Sequence, residues 1–453
     1  MAMTTRTGWP VTARRVSDAI REAASTFAVP GAQLAWSCDG VVDHVAVGSV
    51  AVGRSAPVTP DTRFPIASVT KAFTASIALQ LVSDDLLSLD EPIAADLPSG
   101  RCREVLGDVT LRQLLTHTSG LEDDPVGDGG RPGSPGQYVR LCTRDRLFDA
   151  GEHFSYANAG YVVVGHLIEA ATGQSWADVL QAFLLDPLEV RGGFFLSEPL
   201  PPGLMAEGHV RRPDGEIAAL PPSSGEARAW APASGLALNA LGLLALLRLH
   251  LEDGSTPLGF PLLDPGLVRE MRAPAVSVMD PTFADAWGLG WAVLRSGSSD
   301  VPDHRWFGHD GDDMGWAARV RASVDGSFAI AMPANCVPMD EEWGRVVAAL
   351  QGVGVDIGQP DLPEPGSEEP IDPAIVGTYE NGAGRLSVVR DDGGYALTDG
   401  RERVPLRSAG GDRCLGVPAA PGHEPFLIGF LRDSGGGVGH LFQRGRASRR
   451  VAA

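Results

Sequence analysis

The sequence predicts an α/β (α+β) domain, with helices flanking an antiparallel sheet, followed by a small all-β barrel. Three observations support this prediction. Strand patterns stand at both ends of residues 1–355, with helical patterns between them. Residues 356–373 are rich in Pro, Glu and Asp and have little to bury, which is typical of a linker. In residues 374–453, short apolar stretches alternate with Gly and Asp turns, as in a small barrel.

The N-terminal part is predicted to be a helix followed by a β-hairpin. Residues 11–28 carry an amphipathic helical pattern, which a Pro-Gly pair ends. Residues 32–37 and 41–48 are then expected to form two strands about an Asp-Gly turn.

The middle of the domain is predicted to be helical. Apolar residues from position 69 to 81 recur on one helical face, and a shorter helix over 111–117 has Thr110 as its cap. Further helices are expected over 159–171 and 236–251. The second of these is almost continuously apolar and is therefore expected to be buried.

Strand patterns return before the linker. Residues 287–294, 315–324 and 327–332 alternate or run apolar, and an Asp-Gly pair joins the last two as a hairpin. The sheet is therefore expected to combine strands from both ends of the domain, with the helical part inserted between them. In the barrel, strands are expected over 385–389, 395–398 and 426–431.

Composition argues against several classes of function. The net charge of −20 makes nucleic acids and anionic membranes poor partners. Apolar runs stay well short of the about 20 residues that cross a bilayer. The 10 histidines lack paired metal-binding spacing, and no glycine-rich phosphate loop follows a strand. We therefore expect neither a metal nor a nucleotide cofactor.

The cysteines and the first residues bear on the compartment. The 5 cysteines are scattered, odd in number and without Cys-x-x-Cys spacing, which favours reduced core thiols. Residues 1–10 lack the apolar core of a secretory signal. We therefore expect a cytoplasmic protein.

Lys71 is the only lysine in the chain, and it lies one helical turn after Ser68. A bias toward arginine explains the missing lysines but not the position of this one. Arginine stays protonated in proteins, whereas a desolvated lysine can lose its proton and act as a base. Because a serine hydroxyl needs a base to become a nucleophile, the Ser-x-x-Lys pair predicts a nucleophile and its base. A surface lysine near a surface serine is the alternative.

A second motif, Tyr156-Ala157-Asn158, precedes the helix expected over 159–171. The tyrosine can shuttle protons if its pKa, ordinarily about 10, is lowered or coupled to Lys71. Asn158 can hold a substrate amide or orient Lys71. A core tyrosine beside an asparagine helix cap is the alternative for this motif taken alone.

A third motif follows a Phe-Gly pair on the approach to an expected strand. Gly311 allows backbone to approach a bound substrate, and the Asp312 N–H can complete an oxyanion hole with that of Ser68. His309 is expected to hydrogen-bond Tyr156 and stabilise its charge. His-x-Gly also fits many ordinary turns.

Together and in this order, the three motifs resemble those of the serine β-lactamase and penicillin-binding-protein superfamily, on its class C and DD-peptidase side. The similarity covers roughly residues 11–355. It extends to 114–121, typical of the helical subdomain in these proteins, and to 232–235 before the buried helix. The resemblance implies a serine β-lactamase-like domain with a helical subdomain.

The resemblance also implies an acyl-enzyme mechanism. Ser68 attacks a carbonyl, Lys71 and Tyr156 exchange protons, and the N–H groups of Ser68 and Asp312 hold the oxyanion. Water or an amine then releases the acyl group. Because a cytoplasmic enzyme does not meet external β-lactams or cell-wall peptides, a secreted β-lactamase or carboxypeptidase is disfavoured.

The third motif departs from the superfamily's usual pattern. Thr or Ser ordinarily stands where this chain has Asp310 and Asp312, and those hydroxyls help to bind a substrate carboxylate. Since like charges repel, we hypothesise an acyl donor without a free carboxylate beside its scissile bond, as in an ester or a thioester.

A cytoplasmic member with a C-terminal lipocalin-like barrel is similar to the penicillin-binding-protein-type thioesterases, the stand-alone nonribosomal peptide cyclases of the surugamide cyclase type. The resemblance implies that a peptidyl carrier protein domain of a nonribosomal peptide synthetase presents the peptide on a phosphopantetheine arm. Release then occurs by head-to-tail macrolactamisation, without a cofactor of the enzyme's own. By the same resemblance, Arg446 of the barrel helps to bind a C-terminal D-residue of the peptide.

Two other interpretations stay open. A β-lactamase-like esterase or D-amino-acid peptidase would form the same acyl-enzyme with water as the acceptor, and the sequence does not separate the acceptors. A non-catalytic binding or scaffold protein could keep the fold without the chemistry. The intact set of motif residues argues against this last interpretation.

Overall fold

The computed structural model describes residues 13–123, 132–142, 144–190, 194–195, 204–220, 228–295, 305–360, 369–382, 384–391, 393–418, 425–433 and 435–451. These residues fall into two compact units. The first unit is drawn from Met1–Leu87, Ile168–Ala273 and Gly290–Gln359, and the second from Ser88–Leu167, Pro274–Leu289 and Pro360–Ala453. The domain boundaries expected at residues 355 and 374 stay predictions.

The helices and strands are numbered in chain order. The helices of the described residues are α1 (Ala13–Ala24), α2 (Thr70–Ser83), α3 (Arg101–Leu106), α4 (Leu111–Leu115), α5 (Pro135–Leu141), α6 (Asn158–Thr172), α7 (Trp176–Leu180), α8 (Ala231–Ser234), α9 (Ala240–Leu251), α10 (Pro265–Met271) and α11 (Asp340–Gly352). The strands before the barrel are β1 (Gly31–Cys38), β2 (Val41–Gly48), β3 (Phe64–Pro65), β4 (Phe194–Phe195), β5 (His209–Arg211), β6 (Ile217–Ala219), β7 (Leu236–Leu238), β8 (Val276–Ser277), β9 (Ala286–Trp287), β10 (Ala292–Arg295), β11 (Arg305–Asp313), β12 (Trp316–Ser323) and β13 (Phe328–Ala334). The barrel strands are β14 (Gly377–Asn381), β15 (Gly384–Asp391), β16 (Gly394–Thr398), β17 (Arg403–Ser408), β18 (Arg413–Gly416), β19 (Phe426–Arg432), β20 (Val438–Gln443) and β21 (Arg446–Val451).

An antiparallel sheet organises the first unit, in the order β2-β1-β13-β12-β11-β10. Strand β1 pairs with β13, with Ala32 opposite Ala334, so the sheet does combine both ends of the predicted domain. Strands β1, β12 and β13 are buried along their whole length because α9 packs against all three. The predicted antiparallel sheet with flanking helices is confirmed.

The run 236–251, expected to be one helix, contains two elements. Its first residues form β7, which pairs with β3, and the helix α9 begins only after Asn239. Asn239 has an extended backbone, and its side chain accepts a hydrogen bond from the Gly242 N–H at 2.8 Å. The strand and the first two turns of the helix are both apolar, so apolar content could not separate them, whereas the asparagine cap marks the boundary.

Helix α2 is buried on all sides rather than on one face. Every residue from 70 to 80 is buried, and the helix packs against α7 and α8. The single apolar face expected from the sequence was therefore too narrow a prediction. A residue that points away from the apolar face of α2 still lies in the interior of the first unit, and Lys71 is such a residue.

The second unit contains α3 to α5, the beginning of α6, the hairpin of β8 and β9, and a closed barrel. Strands β14 to β21 follow one another around the barrel, and pairing of β14 with β21 closes it. Tyr379, Ile428 and Phe430 belong to its apolar core, and the Tyr379 hydroxyl donates to the Ile375 carbonyl at 2.6 Å. The predicted small all-β barrel is confirmed.

The cysteine prediction also holds. All five cysteines are buried, and the structure holds no disulfide between them, which fits reduced core thiols: Cys38, Cys102, Cys142, Cys336 and Cys414. In the part of the chain that the structure describes, no helix is both long and apolar enough to cross a membrane.

Candidate active site

Ser68 lies in a strained turn at the entrance to α2. Strand β3 leads into a 3₁₀ turn, Ala67–Val69, and α2 begins at the next residue. Ala67 has φ +46°, a left-handed conformation that costs a residue with a Cβ about 1–2 kcal/mol. Ala67 and Val69 are buried, whereas Ser68 is partly exposed. The turn therefore presents the serine hydroxyl while its neighbours anchor it.

Lys71 is completely buried, and its side-chain nitrogen contacts the serine. Its Nζ donates to Ser68 Oγ at 3.1 Å and to the Ala233 carbonyl at 3.0 Å. Ala233 belongs to α8, which is also tied to α2 by a hydrogen bond from Thr74 Oγ1 to the Pro232 carbonyl at 2.7 Å. The segment 232–235, noted in the sequence only for its resemblance, thus supplies the carbonyl that orients Lys71.

The third motif lies within a strand rather than in a turn before one. Gly311 is part of β11 and pairs with Ala318 of β12. A Cβ on Gly311 would stand 2.3 Å from the Ile66 carbonyl oxygen and 3.2 Å from the Ser68 nitrogen. Only glycine therefore lets β11 approach the Ser68 turn this closely. The contact expected for Gly311 from the sequence is with a bound substrate, and that contact stays a prediction.

His309 is buried on the same strand. Its Nδ1 lies 2.7 Å from the Asp310 carbonyl oxygen. Burial, and after it the positive charge of Lys71, lowers the pKa of His309 to about 3. The imidazole is therefore neutral near pH 7. In the first unit, Lys71 contacts Ser68 and its charge also acts on His309.

Asp310 and Asp312 are paired with buried arginines. Asp310 accepts two hydrogen bonds from Arg321, at 2.5 and 3.0 Å, and Asp312 accepts one from Arg319 at 2.9 Å. Burial alone would raise the pKa of Asp310, but the charges of Arg321 and Arg319 outweigh it and lower the pKa to about 2. The hypothesis of a donor without a carboxylate assumed uncompensated charges. That assumption is wrong.

Arg319 and Arg321 were missed in the sequence. They stand at alternate positions of β12, where Arg319 lies opposite Asp310 and Arg321 opposite Gly308. Both are nearly fully buried in a strand that is otherwise mostly apolar. The sequence did contain a sign of these ion pairs. Two arginines stand two positions apart in an apolar strand, so they lie on the same face of the sheet, and two aspartates precede them in the neighbouring strand.

Tyr156 lies in the second unit, in an aromatic cluster. Only 5% of the residue is exposed. The ring centroids of His117, Phe283 and Trp287 lie 4.2, 5.4 and 5.7 Å from that of Tyr156. His117 Nδ1 also accepts the Ala157 N–H at 3.1 Å, which fixes the backbone of the motif.

Asn158 is the first residue of α6, and Asp123 caps this helix. The Asn158 N–H donates to Asp123 Oδ1 at 2.9 Å. Asp123 Oδ2 in turn lies 3.0 Å from Nη2 of Arg446, whose guanidinium carbon stands 5.4 Å from the centre of the Tyr156 ring. The second unit thus brings together Tyr156, Asn158 and Arg446, and it adds Asp123, which the sequence analysis did not identify.

The predicted site residues form two clusters, one in each unit. Ser68, Lys71, His309, Gly311 and Asp312 belong to the first unit. Tyr156, Asn158 and Arg446 belong to the second. The roles of these residues, and the hydrogen bond expected between His309 and Tyr156, stay predictions.

Comparison with known proteins gives consistent results. A family model described as Beta-lactamase matches residues 16–351. Penicillin-binding protein 4 of Amycolatopsis lactamdurans is 30% identical over 369 residues, which cover 79% of this chain and 94% of that protein. A D-aminopeptidase of Brucella anthropi is 31% identical over 188 residues, or 40% of this chain and 35% of that protein.

Among solved structures, that of SurE is similar over nearly the whole chain. It is 35% identical, the match covers 97% of this chain and 98% of that one, and the TM-score is 0.83. A structure of SurE with D-Leu matches with 34% identity, coverage of 97% and 99%, and a TM-score of 0.82. The similarity therefore includes the C-terminal barrel as well as the family domain.

Proposed function

Since this chain belongs to the β-lactamase and penicillin-binding-protein family of serine hydrolases, we propose that it acylates Ser68 with a peptidyl thioester and releases the peptide by head-to-tail macrolactamisation. The observation that carries the acylation step is the buried Lys71, with its Nζ 3.1 Å from Ser68 Oγ. The similarity to SurE along 97% of the chain supports the thioesterase and cyclase assignment, together with the resemblance of the motifs and barrel to the penicillin-binding-protein-type thioesterases.

Acylation follows from the first cluster. Ser68 Oγ attacks the thioester carbonyl, and its proton passes to Lys71, with Tyr156 assigned a share in the proton transfer. A C–O bond forms, the C–S bond breaks, and the thiol of the carrier leaves with a proton. Because Lys71 is fully buried and held by Ser68 and Ala233, its amine is already positioned for this transfer.

The oxyanion formed in this step needs fixed donors. We assign them to the backbone N–H groups of Ser68 and Asp312. The close approach of Gly311 to the Ser68 nitrogen supports this assignment, because it brings strand β11 beside the Ser68 turn. Donors on rigid backbone need little reorganisation when the charge develops.

Deacylation uses the peptide's own N-terminal amine. Its nitrogen attacks the ester carbonyl, an amide bond forms, and Ser68 Oγ leaves with the proton that the amine gives up. The donor is presented on the phosphopantetheine arm of a peptidyl carrier protein domain of a nonribosomal peptide synthetase. The structure of SurE with D-Leu supports a D-configured residue at the C-terminus of the donor peptide. We assign Arg446 to its binding site on the resemblance to the penicillin-binding-protein-type thioesterases alone.

Hydrolysis is the second candidate function. The similarity to a D-aminopeptidase favours it, although that match covers only 40% of this chain. The acyl-enzyme would be the same, and water would replace the amine to give a linear acid. The two functions therefore differ only in the acceptor.

Mass spectrometry of protein and product tests the proposal. A synthetic pantetheine thioester of a peptide with a D-residue at its C-terminus is incubated with the wild-type protein and with Ser68→Ala. We expect an acyl adduct and a product one water lighter than the free acid, both absent in Ser68→Ala.

Ser83→Ala is the matched control. This serine is the last residue of α2, the helix that follows the Ser68 turn, and its hydroxyl donates to the Leu79 carbonyl. It should retain both adduct and product. A Ser68-dependent linear acid alone would support the hydrolase, whereas labelling that persists in Ser68→Ala would remove the serine from its assigned role.

A further inference from the structure

The barrel contributes a turn that contacts the Tyr156 motif directly. Strands β20 and β21 are joined at Arg444 and Gly445, with φ +50° and +78°. The Gly445 carbonyl accepts the Tyr156 N–H at 2.8 Å. The Ala447 N–H donates to Ser155 Oγ at 3.1 Å. Residues almost 300 positions apart in sequence thus fix the backbone on which Tyr156 stands.

The same turn places a cation against the tyrosine ring. The guanidinium carbon of Arg446 lies 5.4 Å from the ring centre, within the range of a cation–π interaction. Asp123 pairs with Arg446 at 3.0 Å and accepts the Asn158 N–H at 2.9 Å. Because one carboxylate binds both, the position of Arg446 is tied to the start of α6 and hence to the Tyr156 motif.

A buried phenol needs such a partner to ionise. Tyr156 is packed among the rings of His117, Phe283 and Trp287, where water cannot solvate a phenolate. A cation beside the ring interacts with the neutral phenol through its π face, and more strongly with the phenolate through full charge. The arginine therefore favours the ionised form.

We infer that Arg446, clamped by Asp123, is a positioning residue that stabilises the phenolate form of Tyr156, in addition to any contact it makes with the donor peptide. The inference rests on the proposed function in one respect, namely that Tyr156 carries a proton during the reaction. The barrel would then contribute Arg446 to the cluster that contains Tyr156.

Other titratable groups of the second unit also face Tyr156. The ring of His117, which follows α4, lies 4.2 Å from that of Tyr156, and the ring of Tyr161, in α6, lies 5.2 Å from that of His117. Burial, followed by the charge of Tyr156, raises the pKa of Tyr161 well above its ordinary value, so Tyr161 stays neutral. Asp123 adds a negative charge to this set, which by itself disfavours a phenolate.

The test is a ¹³C NMR titration of protein labelled at the tyrosine ζ-carbon. The chain has 5 tyrosines, and the signal lost in Tyr156→Phe identifies the residue. We expect the Tyr156 midpoint to rise by about 1 pH unit or more in Arg446→Gln. Arg446→Lys should recover part of the shift, because charge returns without the planar guanidinium.

Asp123→Asn tests whether Asp123 acts by holding Arg446 in place or only through its own negative charge. If Asp123 acted only through its charge, its removal would lower the Tyr156 midpoint. If it holds Arg446 in place, the midpoint rises, and this is the expected result. The asparagine oxygen can still accept the Asn158 N–H, so the start of α6 is preserved.

Arg444→Gln is the matched control, since Arg444 is an exposed arginine of the same turn. It should leave the Tyr156 midpoint within about 0.3 pH units of wild type, because an exposed charge is screened by water and salt. An unchanged midpoint in Arg446→Gln, or a fall in Asp123→Asn, would overturn the inference. The titration needs no substrate, so it stands even where the macrocyclisation assay gives no product.

Discussion

The Ser68 turn and the Tyr156 motif are built in different ways. The Ser68 turn is held by the strained Ala67, by the lysine one turn later, and by close backbone contact with one distant strand, β11. The Tyr156 motif is held by residues that are distant in sequence, which include His117, Trp287 and Gly445. The first depends on tightly packed backbone, and the second on aromatic rings and hydrogen bonds.

The difference predicts how each cluster responds to mutation. Backbone atoms in close contact leave no room for an added atom, so the Ser68 turn should fail abruptly when a side chain is inserted. Aromatic rings and a clamped arginine can adjust by small shifts, so the Tyr156 motif should respond by degrees. The following experiments are arranged from the largest expected effect to the smallest.

Lys71→Arg should have the largest effect. Arginine keeps a positive charge but does not give up its proton, so it cannot act as the base for Ser68. We expect the acylation rate to fall by about 10²- to 10⁴-fold, the usual contribution of a general base. Rapid-quench mass spectrometry of the acyl-enzyme measures this rate.

A lysine elsewhere should not substitute for Lys71. Arg14→Lys introduces a lysine at a site whose side chain is 89% exposed, and it is expected to leave acylation unchanged. The double variant with Lys71→Arg should be as slow as the single one. Rapid acylation by Lys71→Arg would show that a positive charge at this position is sufficient and that a proton-accepting amine is not needed.

Gly311→Ala should disrupt the Ser68 turn by steric overlap. The added Cβ would stand 2.3 Å from the Ile66 carbonyl oxygen, so either β11 or the turn must move. We expect acylation about 10²-fold slower and a loss of about 1–3 kcal/mol in the free energy of unfolding. Acylation kinetics and urea denaturation measure the two effects.

Gly344→Ala is the control for a glycine whose Cβ meets no neighbour. Gly344 lies in α11, with nothing within 4 Å of an added Cβ. Alanine there should raise the free energy of unfolding by about 0.5–1 kcal/mol, because it favours the helix. A mild effect of Gly311→Ala, similar to that of Gly344→Ala, would contradict the abrupt failure expected for the Ser68 turn.

Sequence patterns identified what is local in this molecule. The hairpin of β1 and β2, the turn between β12 and β13, and the barrel all follow from period-2 patterns and turn residues. The serine and the lysine were visible because they share one helical turn. The confirmed family resemblance rests on the same short motifs.

Tertiary contacts could not be predicted in the same way. Nothing near Asp123 in the sequence indicates that it would pair with Arg446, more than 300 positions later. The arginines that neutralise Asp310 and Asp312 come from the neighbouring strand, so their effect depends on strand register. The boundary at Asn239 was missed because strand and helix are equally apolar.

The free energy of unfolding should depend on pH through the buried histidines, because burial lowers their pKa values. The pKa of His309 is about 3 in the folded protein and about 6.5 in the unfolded chain. Between these values the unfolded chain binds more protons, so stability is full above pH 6.5 and falls as pH decreases. We expect this residue to contribute a slope of up to about 1.4 kcal/mol per pH unit.

His309→Asn should remove that contribution between pH 6.5 and 4.5. The window lies above the range in which Asp310 titrates, since its pKa is about 2 when folded and about 3.8 when unfolded. His250, also with a pKa of about 3, should lose its own share in His250→Asn. Denaturation curves of wild type and His309→Asn that stay parallel across the window would remove the histidine from this account.

Gly445→Ala should give the smallest effect on acylation, and it tests the barrel's support of Tyr156. Gly445 and Gly436 have φ +78° and +81°, so alanine costs about 1–2 kcal/mol at either position. Only at Gly445 does the added Cβ meet a neighbour, the Phe283 ring at 3.0 Å. We expect Gly445→Ala to lose about 1 kcal/mol more than Gly436→Ala in urea denaturation. Acylation should slow by a few-fold only in Gly445→Ala, because its carbonyl holds the Tyr156 N–H. Equal effects of the two variants would mean that the turn contributes strain but no support, and the Tyr156 motif would then depend on its aromatic neighbours alone.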